Sequence, residues 1–119
     1  MAIIAVIEDD ENVLKTIAKV LERSGYQLKP FVDAAQAISD CDWREVDLVV
    51  TDLVMSTSGE KLIEFVQQKD PQIPIVVITG VVGDRLDQVQ GLNVSCVLKK
   101  PFHPRELLFA VQKFLPNKN

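Results

Sequence analysis

Four places in this sequence carry side chains that could act together: the acidic pair Glu8-Asp9, the carboxylate of Asp52, the hydroxyl of Thr79 and the amine of Lys100. Each follows or ends a short apolar run, and a run of that kind reads as a strand buried on both faces. Ligands of open parallel sheets bind outside the carboxyl ends of such strands. Carboxylates crowded at one edge repel each other and are costly to ionise without a compensating cation, a conflict that a hard divalent ion with oxygen ligands resolves. Mg²⁺ suits the place because it needs only one or two carboxylates, keeps several waters and shares its shell with phosphate. A hydroxyl at Thr79 and a point charge at Lys100 would receive an anion. The set fits a carboxylate nucleophile, Asp52, that accepts a phosphoryl group while a metal and a lysine neutralise its oxygens. Taken singly, each residue has a plainer use. A strand-end Thr is structural, a lone Lys is a solvated charge, and acids after a strand cap a helix. Asp10 and Glu11 are read as such caps, and the weight lies in the coincidence of the others.

The elements that must bring these residues together alternate regularly. Ala2 to Ile7 reads as a first strand, followed by a helix with Val13-Leu14, Ile17-Ala18 and Val20-Leu21 at helical spacing and Gly25 as its stop. Tyr26 to Val32 is a second strand, placed at an edge because Pro30 cannot donate to a ladder on both sides. Asp33 caps a short helix over Ala34 to Ser39, and a polar connection from Asp40 to Glu45 leads to a third strand at Asp47 to Asp52. After the loop Ser56-Thr57-Ser58-Gly59 comes a helix over Glu60 to Lys69, with Leu62, Ile63, Phe65 and Val66 inward and Pro71 and Pro74 closing it. Ile75 to Thr79 is the fourth strand, Val82 to Gln90 a weakly amphipathic fourth helix and Val94 to Leu98 the fifth strand. Pro104 opens a last helix with Leu107, Leu108, Val111, Phe114 and Leu115 inward. Five alternations of strand and helix predict an α/β fold, a five-stranded parallel sheet with helices on both faces. Right-handed crossovers and the edge position of Pro30 favour the flavodoxin-like order 2-1-3-4-5. In that order the first and third strands are neighbours and Glu8, Asp9 and Asp52 converge.

Composition narrows what such a site could serve. The 119 residues, 47% apolar and 25% charged, suit one globular domain over 1–119 with a core of its own. The apolar runs are far too short to span a bilayer and no basic leader precedes them, so the expectation is a cytoplasmic protein without a membrane partner. A net charge of −4 argues against direct nucleic-acid binding, which runs on excess Lys and Arg, and favours a cation or a protein partner. Cys41 and Cys96 lack metal-ligand or redox spacing and read as reduced packing residues. His103 reads as a loop or helix-cap residue, and Trp43 and Tyr26 as packing residues at element ends.

With the motifs in place, the chain resembles the receiver domain of two-component response regulators, of the chemotaxis-regulator type, from its first strand to its last helix. The resemblance is carried by Glu8-Asp9, by Asp52 with Met55 and Gly59 behind it, by Thr79-Gly80 and by Lys100-Pro101-Phe102. It implies that Asp52 takes a phosphoryl group from a phosphohistidine on a sensor histidine kinase or a histidine phosphotransfer protein. It further implies that Asp9, Asp52 and the backbone carbonyl of Val54 hold Mg²⁺, with Glu8 acting mainly through metal-bound water. Thr79 would move toward the phosphoryl oxygens and Lys100 would pair with them. The output would be a population shift on the face of the fourth helix, fifth strand and fifth helix, altering affinity for a downstream protein. The only reaction implied is the domain's own phosphorylation and dephosphorylation.

Three departures from the family pattern matter. Ser56 stands where a Pro commonly follows the Met, which leaves the loop with more backbone freedom. Val97 replaces the aromatic residue that typically reorients with the Thr, so that form of coupling is unavailable. Val54 and Val81, two residues beyond Asp52 and Thr79, are apolar where a polar side chain could orient an attacking water, and a long-lived aspartyl phosphate is expected. Other readings fare worse. A phosphatase of the haloacid dehalogenase type needs a second Asp two residues after the nucleophile, where Val54 stands. A flavin-phosphate site would not have an acidic loop after the first strand, and no glycine-rich P-loop is present. A receiver-shaped interaction module or phosphate sink, without a phosphorylation-dependent output, is kept open by Val97.

Overall fold

The computed structural model describes residues 1–53, 59–80 and 94–115. Five parallel strands, β1 (Ile3–Ile7), β2 (Gln27–Phe31), β3 (Leu48–Asp52), β4 (Ile75–Thr79) and β5 (Cys96–Lys99), form one sheet in the order β2-β1-β3-β4-β5. This is the expected order, with Pro30 on the edge strand and exposed. The strand ends differ from expectation by a residue or two, most at β5, which starts at Cys96 rather than Val94 and runs on to Lys99.

Helices α1 (Glu11–Arg23), α2 (Ala34–Asp40) and α3 (Gly59–Lys69) follow the first three strands. The expected fourth helix, Val82 to Gln90, lies outside the described residues, and the last helix, fifth by expectation, is α4 (Pro104–Phe114). The boundaries have local causes. Asp10 caps α1 by accepting from the N–H groups of Asn12 and Val13, and Asp33 caps α2 by accepting from Gln36. At the other end of α1 the Tyr26 N–H donates to the Leu21 carbonyl and the Gly25 N–H to that of Glu22. That paired closure requires a left-handed residue, and Gly25 supplies it at φ 93°. His103 caps α4 reciprocally: its Nδ1 accepts from the Arg105 N–H at 3.0 Å, while its own N–H donates to Glu106 Oε1 at 2.9 Å.

Alternation along the strands divides the interior into two layers. Ile4, Val6, Leu48, Val50, Val76 and Ile78 pack with Ile17 and Leu21 of α1 and Leu107 and Val111 of α4. Ala5, Ile7, Val49, Leu53, Ile75 and Val77 face the other way, against α2 and α3. Trp43 belongs to this second layer, 8% exposed and edge-on to Phe65, in a 3₁₀ turn (Trp43–Glu45) within what the sequence suggests is a plain polar connection. Both faces of β3 and β4 are sealed, so the polar ends of these strands can open only at their carboxyl edge.

Candidate functional site at the carboxyl edge of the sheet

Parallel register delivers the site. Ile7 lies opposite Thr51, Asp52 opposite Ile78, and Thr79 opposite Lys99, so the next residues along, Glu8 and Lys100, stand beside Asp52 and Thr79 at one edge. Main-chain bonds hold the exits from the strands: the Lys100 N–H donates to the Thr79 carbonyl at 2.8 Å and the Glu8 N–H to that of Phe31 at 3.0 Å. Four buried polar or charged residues interrupt the apolar core among the described residues, namely Glu8, Thr51, Asp52 and Thr79. All lie at this edge.

The Lys100 ammonium sits between two of the carboxylates, with Nζ 2.7 Å from Asp52 Oδ2 and 2.8 Å from Glu8 Oε1. Glu8 is fully buried, and its other oxygen accepts from the Asp10 N–H at 2.9 Å. Burial pushes the Glu8 carboxyl above its ordinary value, although Lys100 and the Asp10 N–H oppose the rise. Burial also works against charge on Lys100, but its hydrogen bonds to Asp52 and Glu8 outweigh that and hold the ammonium above the usual lysine range. Among the described residues, Glu8 Oε1 has no hydrogen-bond partner besides this ammonium.

One oxygen from each of Glu8, Asp9 and Asp52 can be chosen so that all lie within 4.8 Å of one another. The donor set is all carboxylate, one member is sealed from water, and a single ammonium faces at least two negative charges. These residues therefore fit a hard divalent cation of the Mg²⁺ kind. Asp9 is exposed, and so keeps an approach from solvent open.

The sequence places Glu8, Asp9, Asp52, Thr79 and Lys100 at one edge, and the structure brings all five there. Val54, whose carbonyl is an expected metal ligand, lies outside the described residues, as do Ser56 and Val81. Val97 is on β5 with 36% of its surface exposed. His103 is a helix cap, as expected, and Cys41 and Cys96 are free thiols. Nothing in the sequence marks Thr51, because a Thr within an apolar run looks like an ordinary strand former.

The sequence model described as "Response regulator receiver domain" matches residues 4–112. The chain is 32% identical over 114 residues to the response regulator receiver protein CpdR of Brucella abortus (strain 2308), covering 94% of this chain and 95% of that protein. It is 31% identical over 114 residues to the transcriptional regulatory protein CssR of Bacillus subtilis (strain 168), covering 94% of this chain but 50% of that regulator. The chain thus spans about half the length of several curated relatives that it matches. The solved non-phosphorylated HemR receiver domain of Leptospira biflexa superposes with a TM-score of 0.90 at 25% identity, covering 100% of this chain and 98% of that one.

Proposed function

The chain belongs to the response regulator receiver domain family and is a signalling domain of two-component phosphorelays, and from that premise we propose that Asp52 is its phosphoacceptor. The observation that carries this reading is the Lys100 ammonium clamped between Asp52 and Glu8, within a ring of carboxylates that suits a divalent ion.

An Asp52 carboxylate oxygen attacks phosphorus on the donor, an O–P bond forms, and the N–P bond of the phosphohistidine breaks with its electron pair left on the imidazole. Lys100 stays paired with the growing negative charge on the transferred group, and the Thr79 hydroxyl donates to one of its oxygens. Asp9 and Asp52, with Glu8 acting through water, would hold Mg²⁺, which supplies charge neutralisation of the phosphoryl oxygens when bound. Glu8 also keeps the ammonium at the site from the side away from solvent.

The donor is a sensor histidine kinase or a histidine phosphotransfer protein. A groove of about 400 Å³ beside Lys100, lined by Val13 and Thr16 of α1 and by Pro101 and Phe102, leaves room for its approach. The downstream protein is bound on the side of β5 and α4, where Phe109 is 70% exposed over a groove of about 430 Å³ that includes Leu98, Lys113 and Phe114. Catalysis is confined to the domain's own aspartyl phosphate. No helix among the described residues is long and apolar enough to cross a membrane.

One observation favours a second reading. Val97 presents an aliphatic side chain at the surface where the family pattern has a ring, so a phosphate sink, modified without any change in partner binding, follows if nothing else relays the event. The test is incubation with Mg²⁺ and a small acyl phosphate, followed by intact mass and by partner binding. The proposal requires one added phosphoryl group in the presence of Mg²⁺ and none after chelation. Modification that leaves partner affinity unchanged selects the sink, and no modification with any divalent cation rejects both.

A further inference from the structure

Thr51 precedes the phosphoacceptor and points to the opposite side of the sheet. Its neighbours on that face, Val49 and Leu53, are packed in the apolar layer beneath α2 and α3. Thr51 is itself fully buried, and a hydroxyl in such surroundings must find an acceptor. It donates to the main-chain carbonyl of Asp52 at 2.9 Å. Gly59, the first residue of α3, also approaches this carbonyl closely. A Cβ at Gly59 would overlap the Asp52 carbonyl oxygen and lie 2.8 Å from Leu53 Cα, and the Gly59 N–H donates to the Leu53 carbonyl at 3.2 Å. The peptide that leaves Asp52 is therefore held by a hydroxyl and by the close approach of a helix start.

We infer that Thr51 is a positioning residue for phosphorylation: with Gly59 it fixes the Asp52–Leu53 peptide, and so keeps the Asp52 carboxylate directed at Lys100. The inference rests on Asp52 being the phosphoacceptor. The direction of a Cα–Cβ bond follows from the backbone atoms on either side, and at Asp52 the ladder continues only toward β4, opposite Ile78, because the last pair with β1 is Thr51 opposite Ile7. Leu53 is drawn into the apolar layer while Asp52 reaches across to Lys100 at 2.7 Å, and both demands meet in this one peptide. Thr51 touches neither donor nor metal and acts through the main chain of its neighbour.

The test compares Thr51→Val, which keeps the shape and loses the donor, with Thr51→Ser, which keeps the donor. Labelling is followed with acetyl phosphate at saturating Mg²⁺. The Val variant is expected to lose about tenfold in maximal rate, because small misplacements of a reacting group are expensive, with half-saturating donor concentration unchanged. The Ser variant should stay within about twofold of wild type, since one methyl group is all that it lacks. A merely structural role would lower the urea midpoint without separating maximal rate from half-saturation. Val labelling as fast as wild type, or Ser as slow as Val, overturns the inference while leaving the assignment of Asp52 standing. Should Thr51→Val not fold, Thr51→Ser against Thr51→Ala asks the same question, because those two differ only in the hydroxyl. Wild-type protein that takes no label removes the reading beneath and the inference with it.

Discussion

Two lysines in this fold make ion pairs of nearly the same length and opposite significance. Lys29, on the edge strand β2, lies 2.7 Å from Glu45 Oε2, and Lys100 lies 2.7 Å from Asp52 Oδ2. The Glu45 side chain keeps 50% of its surface in water, whereas those of Asp52 and Glu8 keep 6% and 0%. Around Lys29 the charges find ordinary surface accommodation: the side-chain hydrogen bond from Arg44 draws the neighbouring Asp42 carboxyl below its usual value. Around Lys100 burial wins instead, and the Glu8 carboxyl is pushed up although an ammonium stands 2.8 Å away. Burial, not distance, decides which pair can be used for chemistry, because charge that is expensive to hold is charge that a cation or phosphoryl group can be recruited to balance.

Removing each amine in turn separates the two clusters most clearly. Lys100→Ala should slow labelling by a small acyl phosphate on the order of a hundredfold, the usual cost of deleting a preorganised donor aimed at transition-state charge. Quenched time courses at saturating Mg²⁺ measure it, and a rate within a factor of a few of wild type would place the neutralising charge elsewhere.

A smaller effect separates the two clusters by pH. The folded state raises the Glu8 carboxyl above its ordinary 4.5, so it binds that proton more tightly than the unfolded chain does. Its contribution to stability is therefore fully present below that value and is lost as pH rises through the raised one. Glu8→Gln should flatten this decline in urea midpoints collected without divalent cations across the acid range. A Glu8→Gln profile parallel to wild type would show that Glu8 is not the group responsible. The smallest effect belongs to Lys29→Ala: labelling unchanged and a urea midpoint close to wild type, as expected of a pair whose acid keeps half of its side chain in water. A loss of labelling there would erase the contrast between the clusters.

Much of this arrangement was legible from residue order. Apolar runs of strand length, caps at Asp10 and Asp33, and Pro30 on one strand predict the sheet order, because local signals and topology rules agree. The edge of the sheet was legible for the same reason: Glu8, Asp52, Thr79 and Lys100 each sit at the end of a run, and parallel register turns that into proximity. Contacts that depend on exact side-chain depth were not. Nothing in the order of residues shows that Lys100 reaches past Asp52 to a sealed Glu8, that Trp43 enters the core from a 3₁₀ turn, or that Thr51 donates to its neighbour's carbonyl. Those follow from how far each chain segment is pressed against the next, which periodicity does not encode.

The central claim is that one carboxylate, made receptive by buried charge around it, carries the phosphoryl group. Borohydride reduction of the labelled protein converts an aspartyl phosphate to homoserine, and peptide mapping then reads its position. The account predicts conversion at residue 52 alone and none in Asp52→Asn; conversion at another carboxylate, or equal labelling of the Asn variant, contradicts it.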